Sequence, residues 1–282
     1  MTGRIPARAV RLAVAILAAI GVFAMTAVAA GATEVVYNNV PAPLPGNFAS
    51  LGNQAYSMSE FGGEVEFAGA ARKNPKVTVI MSTWACQNGG VYEDTCETPK
   101  PNKKFKWPIT LNIYDVGAGN TVGTKLGSVT KTFGLPYRPT KNDTACLAKG
   151  YAAGTWYDAA TNACYHGMAF PITFKPVHTE LRGKAIITLS YNTSTHGPSP
   201  VGTGAACFST AVGCYYDSLN VATAEPSENT LSIGAQPSLE EVFVNSTYTP
   251  MFCEGGTSDT FGAAKCAGFW EGLQPIFSVS AR

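Results

Sequence analysis

Beyond residue 33 the chain alternates apolar and polar residues with a period of two in one segment after another. The clearest is 105–114, where Phe105, Trp107, Ile109, Leu111 and Ile113 fall on one side of an extended backbone. Residues 64–68 alternate in the same way, and 76–82 is dense in β-branched side chains that suit a pleated surface. Further runs of strand character lie at 127–133, 170–174, 185–191, 218–222, 241–244 and 276–280, with one more near Val35. Turn formers stand between them, for the chain holds 29 glycines and 18 prolines, and no later stretch keeps apolar residues at helical spacing over an ordinary helix length. About ten short strands without crossover helices predict an all-β domain of antiparallel strands, a jelly-roll-like sandwich, with a closed β-barrel as the alternative. Residues 33–282 read as one domain. The connections 134–167 and 192–218 are too long for simple turns, and loops of that length usually carry function.

The N-terminal region follows a different pattern. Arg4, Arg8 and Arg11, with no acid among them, precede an apolar run over 12–30, and small residues crowd 27–32. This is the order of a secretory signal peptide, residues 1–32, with cleavage expected after Ala32. A membrane anchor competes, because ~18 apolar residues begin to suffice for a spanning helix; the small-residue end favours cleavage. Taking Arg4, Arg8 and Arg11 from the 20 cations leaves 17 against 19 anions, a net charge of about −2. Such a chain has no general electrostatic hold on nucleic acid or anionic lipid, so neither is expected as a partner, and no membrane attachment is expected once the signal is removed.

All eight cysteines, Cys86, Cys96, Cys146, Cys164, Cys207, Cys214, Cys253 and Cys266, follow the signal. An even count in an exported chain reads as disulfides, and proximity favours 86 with 96, 146 with 164, 207 with 214, and 253 with 266. Zinc would need Cys-x2-Cys spacing or Cys/His clusters, which the sequence lacks.

Four segments, 60–69 (EFGGEVEFAG), 108–114 (PITLNIY), 186–193 (IITLSYNT) and 216–221 (YDSLNV), carry a resemblance. Together they are similar to the core of a broad group of exported bacterial β-sandwich proteins of the cell-surface or secreted type, over roughly residues 35–280. The resemblance implies a jelly-roll-like sandwich outside the cell and transfers no catalytic residue. No sorting tail follows the run at 276–280, so release in free form is expected.

Enzyme motifs are sparse. There is no nucleophile-elbow Gly-x-Ser-x-Gly and no His-Glu-x-x-His, and Gly117 to Lys125 has the flavour of a phosphate loop at the wrong spacing, which reads as a turn between strands. Glu93, Asp94 and Glu97 crowd the first cystine loop but match no calcium-loop spacing, so neither a metal nor another cofactor is expected. Among the three histidines, His166 follows Cys164-Tyr165 on the loop that carries Trp156, Tyr157 and Asp158. Aromatic rings with polar edges suit sugars, which makes Trp156, Tyr157 and His166, with Tyr215 and Tyr216 on the next long loop, the candidate ligand-binding residues. The sequence therefore points to a secreted binding or surface-interaction module without catalysis, meeting a cell-envelope or environmental glycan. A secreted glycan-active hydrolase or lyase on the same scaffold is the alternative, and it would need two titratable side chains converging in a cleft.

Expression with export should yield a protein that begins at Thr33. N-terminal sequencing of the chain recovered from the medium checks this, and a membrane-bound chain that retains Met1 would favour the anchor.

Overall fold

The computed structural model describes residues 32–54, 58–89, 95–193, 218–224, 230–237, 241–246, 261–265 and 273–282, so all of the expected signal but Ala32 lies outside it. Thr33–Arg282 forms one unit. In chain order its elements are β1 (Glu34–Asn38), β2 (Ser50–Gly52), β3 (Met58–Glu66), β4 (Lys76–Thr83), β5 (Lys104–Val116), β6 (Val122–Pro136), α1 (Asp143–Leu147), β7 (Trp156–Asp158), β8 (Ala163–Tyr165), β9 (Met168–Thr173), β10 (Lys184–Ser190), β11 (Leu219–Ala224), β12 (Glu241–Ser246), β13 (Gly262–Lys265), β14 (Gln274–Pro275) and β15 (Phe277–Ala281). The fold is all-β, as the alternation predicts. The strands outnumber the expected ten because β2, β7, β8, β13 and β14 are too short to leave a periodic signature.

The strand pairings are antiparallel. One sheet runs β1-β15-β4-β11-β14, with β2 added on β11 and β9 on β4; the other runs β13-β12-β3-β10-β5-β6; and β7 with β8 forms a separate hairpin. Both sheets feed one apolar core. Val77, Val79 and Met81 of β4 and Val279 of β15 share it with Phe61 and Val65 of β3, Ile187 and Leu189 of β10, and the whole apolar row of β5. The alternation of β5 reads out directly here, since Phe105, Trp107, Ile109, Leu111 and Ile113 are all buried. The phosphate-loop lookalike is the turn of the β5–β6 hairpin, closed by the Gly117 N–H on the Thr121 carbonyl at 2.7 Å. Gly119 and Asn120 take the left-handed conformation there, which glycine and asparagine adopt at least cost.

The outward face of the second sheet carries a polar hub. A Glu60 carboxylate oxygen of β3 accepts hydrogen bonds from Asn112 Nδ2 at 2.9 Å, from the Tyr114 hydroxyl at 3.0 Å and from the Thr188 hydroxyl. Asn112 Oδ1 then accepts from Ser128 Oγ at 2.8 Å and Lys125 Nζ at 3.3 Å, so one chain of bonds crosses β3, β10, β5 and β6. Burial, and then the neighbouring Glu60 carboxylate, hold the Tyr114 phenol well above its ordinary value and keep it a donor. Gly62, next to the hub, leaves β10 room to approach, because a Cβ there would run into the Ile187 carbonyl and Thr188.

Glu60→Ala removes the shared acceptor of three donors and should cost about 2 kcal/mol of unfolding free energy, with Glu60→Gln costing less. Urea unfolding of the two variants beside the parent measures the difference.

Candidate functional site

Two cystines staple the loops beyond β4 and around α1. Cys86 pairs with Cys96 and Cys146 with Cys164, as proximity along the chain predicts, and such bonds belong to an oxidising compartment. Cys207, Cys214, Cys253 and Cys266 lie outside the described residues, as do Tyr215 and Tyr216. The second loop opens with α1, a five-residue helix capped by Asn142 Oδ1 on the Ala145 N–H at 3.0 Å. It then returns through the β7–β8 hairpin, which is pinned to the segment after β6 by Tyr157 N–H on the Thr140 carbonyl and Asn142 N–H on the Thr155 carbonyl.

The two stapled loops meet at a cluster of rings. Trp84 follows β4, Trp156 lies in β7 and His166 follows β8. The Trp84 and Trp156 rings meet edge to face at 5.0 Å between centroids, and the His166 imidazole stands edge-on to Trp84 at 4.6 Å. Arg138, itself buried, lays its guanidinium 4.4 Å from the Trp156 ring centre, donates from Nε to Cys96 Sγ at 3.0 Å and binds the Pro139 carbonyl at 3.3 Å. Its main-chain N–H reaches the Ala85 carbonyl at 2.6 Å, which ties the strand end of β6 to the loop beside Trp84.

Trp156, expected as a ligand contact, is only 3% exposed. It supports the cluster from beneath and offers no open face, a correction that follows from pairing: in the three-residue strand β7 its side chain turns under the hairpin with Arg138, while Tyr157 turns the other way. Of the predicted residues, His166 and Tyr157 line two different clefts. One, of about 710 Å³, is lined by Trp84, the exposed His166, Pro41, Pro45 and Phe48, with Asn47, Ser50 and Thr230 as polar groups. The other, of about 390 Å³, holds Tyr157, Asp158, Tyr137 and Arg138 with Lys103 and Lys104. Asp158 is committed to the hairpin turn, accepting from Ala160 N–H at 3.0 Å and Thr161 Oγ1 at 2.7 Å.

Among the described residues Ser82 Oγ and Trp84 Nε1 are buried without hydrogen-bond partners, and both lie beside Gly167. The backbone N–H of His166 is held by Asn47 Oδ1 at 2.9 Å, which fixes the imidazole at the rim, and the described contacts of the ring itself are with Trp84 and Trp156. Among the described residues no group of His, Cys, Asp and Glu is arranged to hold a metal ion, and no helix is long and apolar enough to cross a membrane. Sequence reasoning missed Arg138 and the loop 41–50. The first left only the signal of a lone charge among Tyr137 and two prolines, and the second has no periodicity at all.

No family model, no curated protein and no solved structure matches the chain.

Trp156→Ala should lower stability by about 3–5 kcal/mol, as emptying a buried aromatic site does, whereas His166→Ala should leave the melting temperature nearly unchanged. Thermal unfolding of the two variants separates support from rim.

Proposed function

We propose that the protein is a secreted, non-catalytic glycan-binding module on a two-sheet, jelly-roll-like sandwich, akin to exported bacterial surface proteins, and that the Trp84 cleft is its binding site. The observation that carries this reading is a cleft lined by a half-buried indole, an exposed imidazole in contact with it, Pro41, Pro45 and Phe48, together with the amide and hydroxyl side chains of Asn47, Ser50 and Thr230. A sugar ring presents apolar C–H faces and hydroxyl edges, and this lining answers both.

Binding without turnover is favoured by the state of His166. A general base is normally oriented by a second group, and the carboxylate nearest along its loop, Asp158, lines the other cleft and is engaged by its own turn. The cystines suit an oxidising space outside the cytoplasm, and the signal-like N-terminus supplies a route there.

A glycan array probed with the purified protein, followed by calorimetry on the best neutral oligosaccharide, tests the reading. Trp84→Ala should weaken binding by roughly thirtyfold, the usual scale for a central aromatic anchor, and His166→Ala by less while leaving the fold intact. Unchanged affinity in both variants, or release of shortened sugar on incubation, would overturn it.

A further inference from the structure

At the start of β4, away from the Trp84 end, a further open cleft gathers Lys76, Lys131, Lys175 and Arg282. The topology puts them together. β4 runs antiparallel to both β9 and β15, so its first residue abuts the last residues of its neighbours, with Lys76 opposite Ser280 and Thr78 opposite Thr173. Lys131 comes from β6, the edge of the other sheet, and reaches across the seam to donate from Nζ to the Thr173 carbonyl at 2.8 Å, its ammonium 4.5 Å from the Phe133 ring centre. Lys76, Lys175 and Arg282 are exposed.

None of these cations forms an ion pair among the described residues, and the cleft lining contains no Asp or Glu. Glu34, which pairs with Ala281 along β1 and β15, turns its carboxylate to the Ala71 N–H at 3.2 Å, and the Arg282 main-chain oxygen is taken by the N–H groups of Arg72 and Lys73. With no acidic side chain in the lining, like charges gathered there repel one another, which favours an anion in the cleft. The remaining lining narrows the class of anion. Thr33, Asn74, Thr173 and Ser280 offer hydroxyl and amide groups, while Phe174 is only 1% exposed and presents no ring on which a base could stack. Three of the four cations are ammonium groups, dispersed point charges rather than the paired donors that clamp a single phosphate.

We propose that this seam cleft binds an acidic polysaccharide of the uronate type, its carboxylates meeting the cations and its hydroxyls meeting the threonine, serine and asparagine side chains. Cleavage after Ala32 would add the α-ammonium of Thr33, which also lines the cleft, as one more cation. The site is separate from the Trp84 cleft and stands whether or not that cleft binds neutral sugar.

The test is binding of polygalacturonate to the purified protein, with neutral dextran and a single-stranded DNA of similar charge as controls, at low salt and at physiological salt. Binding to polygalacturonate alone is expected, weakening as salt rises. The double substitution Lys76→Ala with Lys175→Ala should reduce affinity about tenfold with the melting temperature unchanged, because both side chains are exposed and hold nothing else. Arg182→Ala, which removes an exposed cation paired with Asp115 at 2.7 Å, should have no effect. Unchanged affinity in the double variant, equal binding of the DNA, salt-independent binding, or an equal loss in Trp84→Ala would each overturn the proposal.

Discussion

The guanidinium of Arg138 is the contact on which the ring cluster depends. A buried cation is expensive to desolvate, and this one is compensated by the face of Trp156, by a cystine sulfur and by a carbonyl. Cys96 and Trp156 lie on different stapled loops, so docking the two loops together helps to recover the cost of burying this charge. Each disulfide shortens its own loop but says nothing about the other. The arginine supplies the missing link, and Trp84 and His166 gain a fixed relation through it. Packing of this kind limits the loss of side-chain freedom when a ligand arrives, which is where preorganised sites gain affinity.

Beneath the loops, the two sheets divide their labour by face. Inward positions of β3, β4, β5, β10 and β15 make the apolar core, while the outward face of the second sheet holds strands in register through Glu60 and Asn112. Four strands share that polar network. A slip of one residue in β10 or β5 would turn its bonding groups into the core and bring apolar ones out, so the hub fixes register as well as adding stability.

Much of this was legible in the residues. The period-two row of β5 placed its buried face without error because five consecutive inward positions are apolar, and two cystines followed from closeness along the chain. The loop carrying Trp156, Tyr157 and His166 stood out by its rings, but which of those rings faces outward did not. A three-residue strand has no periodicity to reveal its buried side, and the partner that buries Trp156 comes from the end of β6. Pairings such as Phe277 with Val79 join distant segments, and they decide which loops meet. The same is true of the basic seam, whose cations come from β4, β6 and the ends of β9 and β15 and form no charge run in the sequence.

β4 links the two clefts, beginning at Lys76 and leading directly into Trp84. Eight residue steps of extended chain correspond to about 26 Å. The strand is bonded to β9 on one side and to β15 and β11 on the other, so that span is held like a ruler and cannot breathe as a linker would. If both clefts bind sugar as proposed, ligand length becomes a selective property in its own right. An oligomer shorter than the span meets one end at a time, whereas a longer polymer held at one end presents its far segments to the other at a high effective concentration, so chain length would count alongside sugar identity.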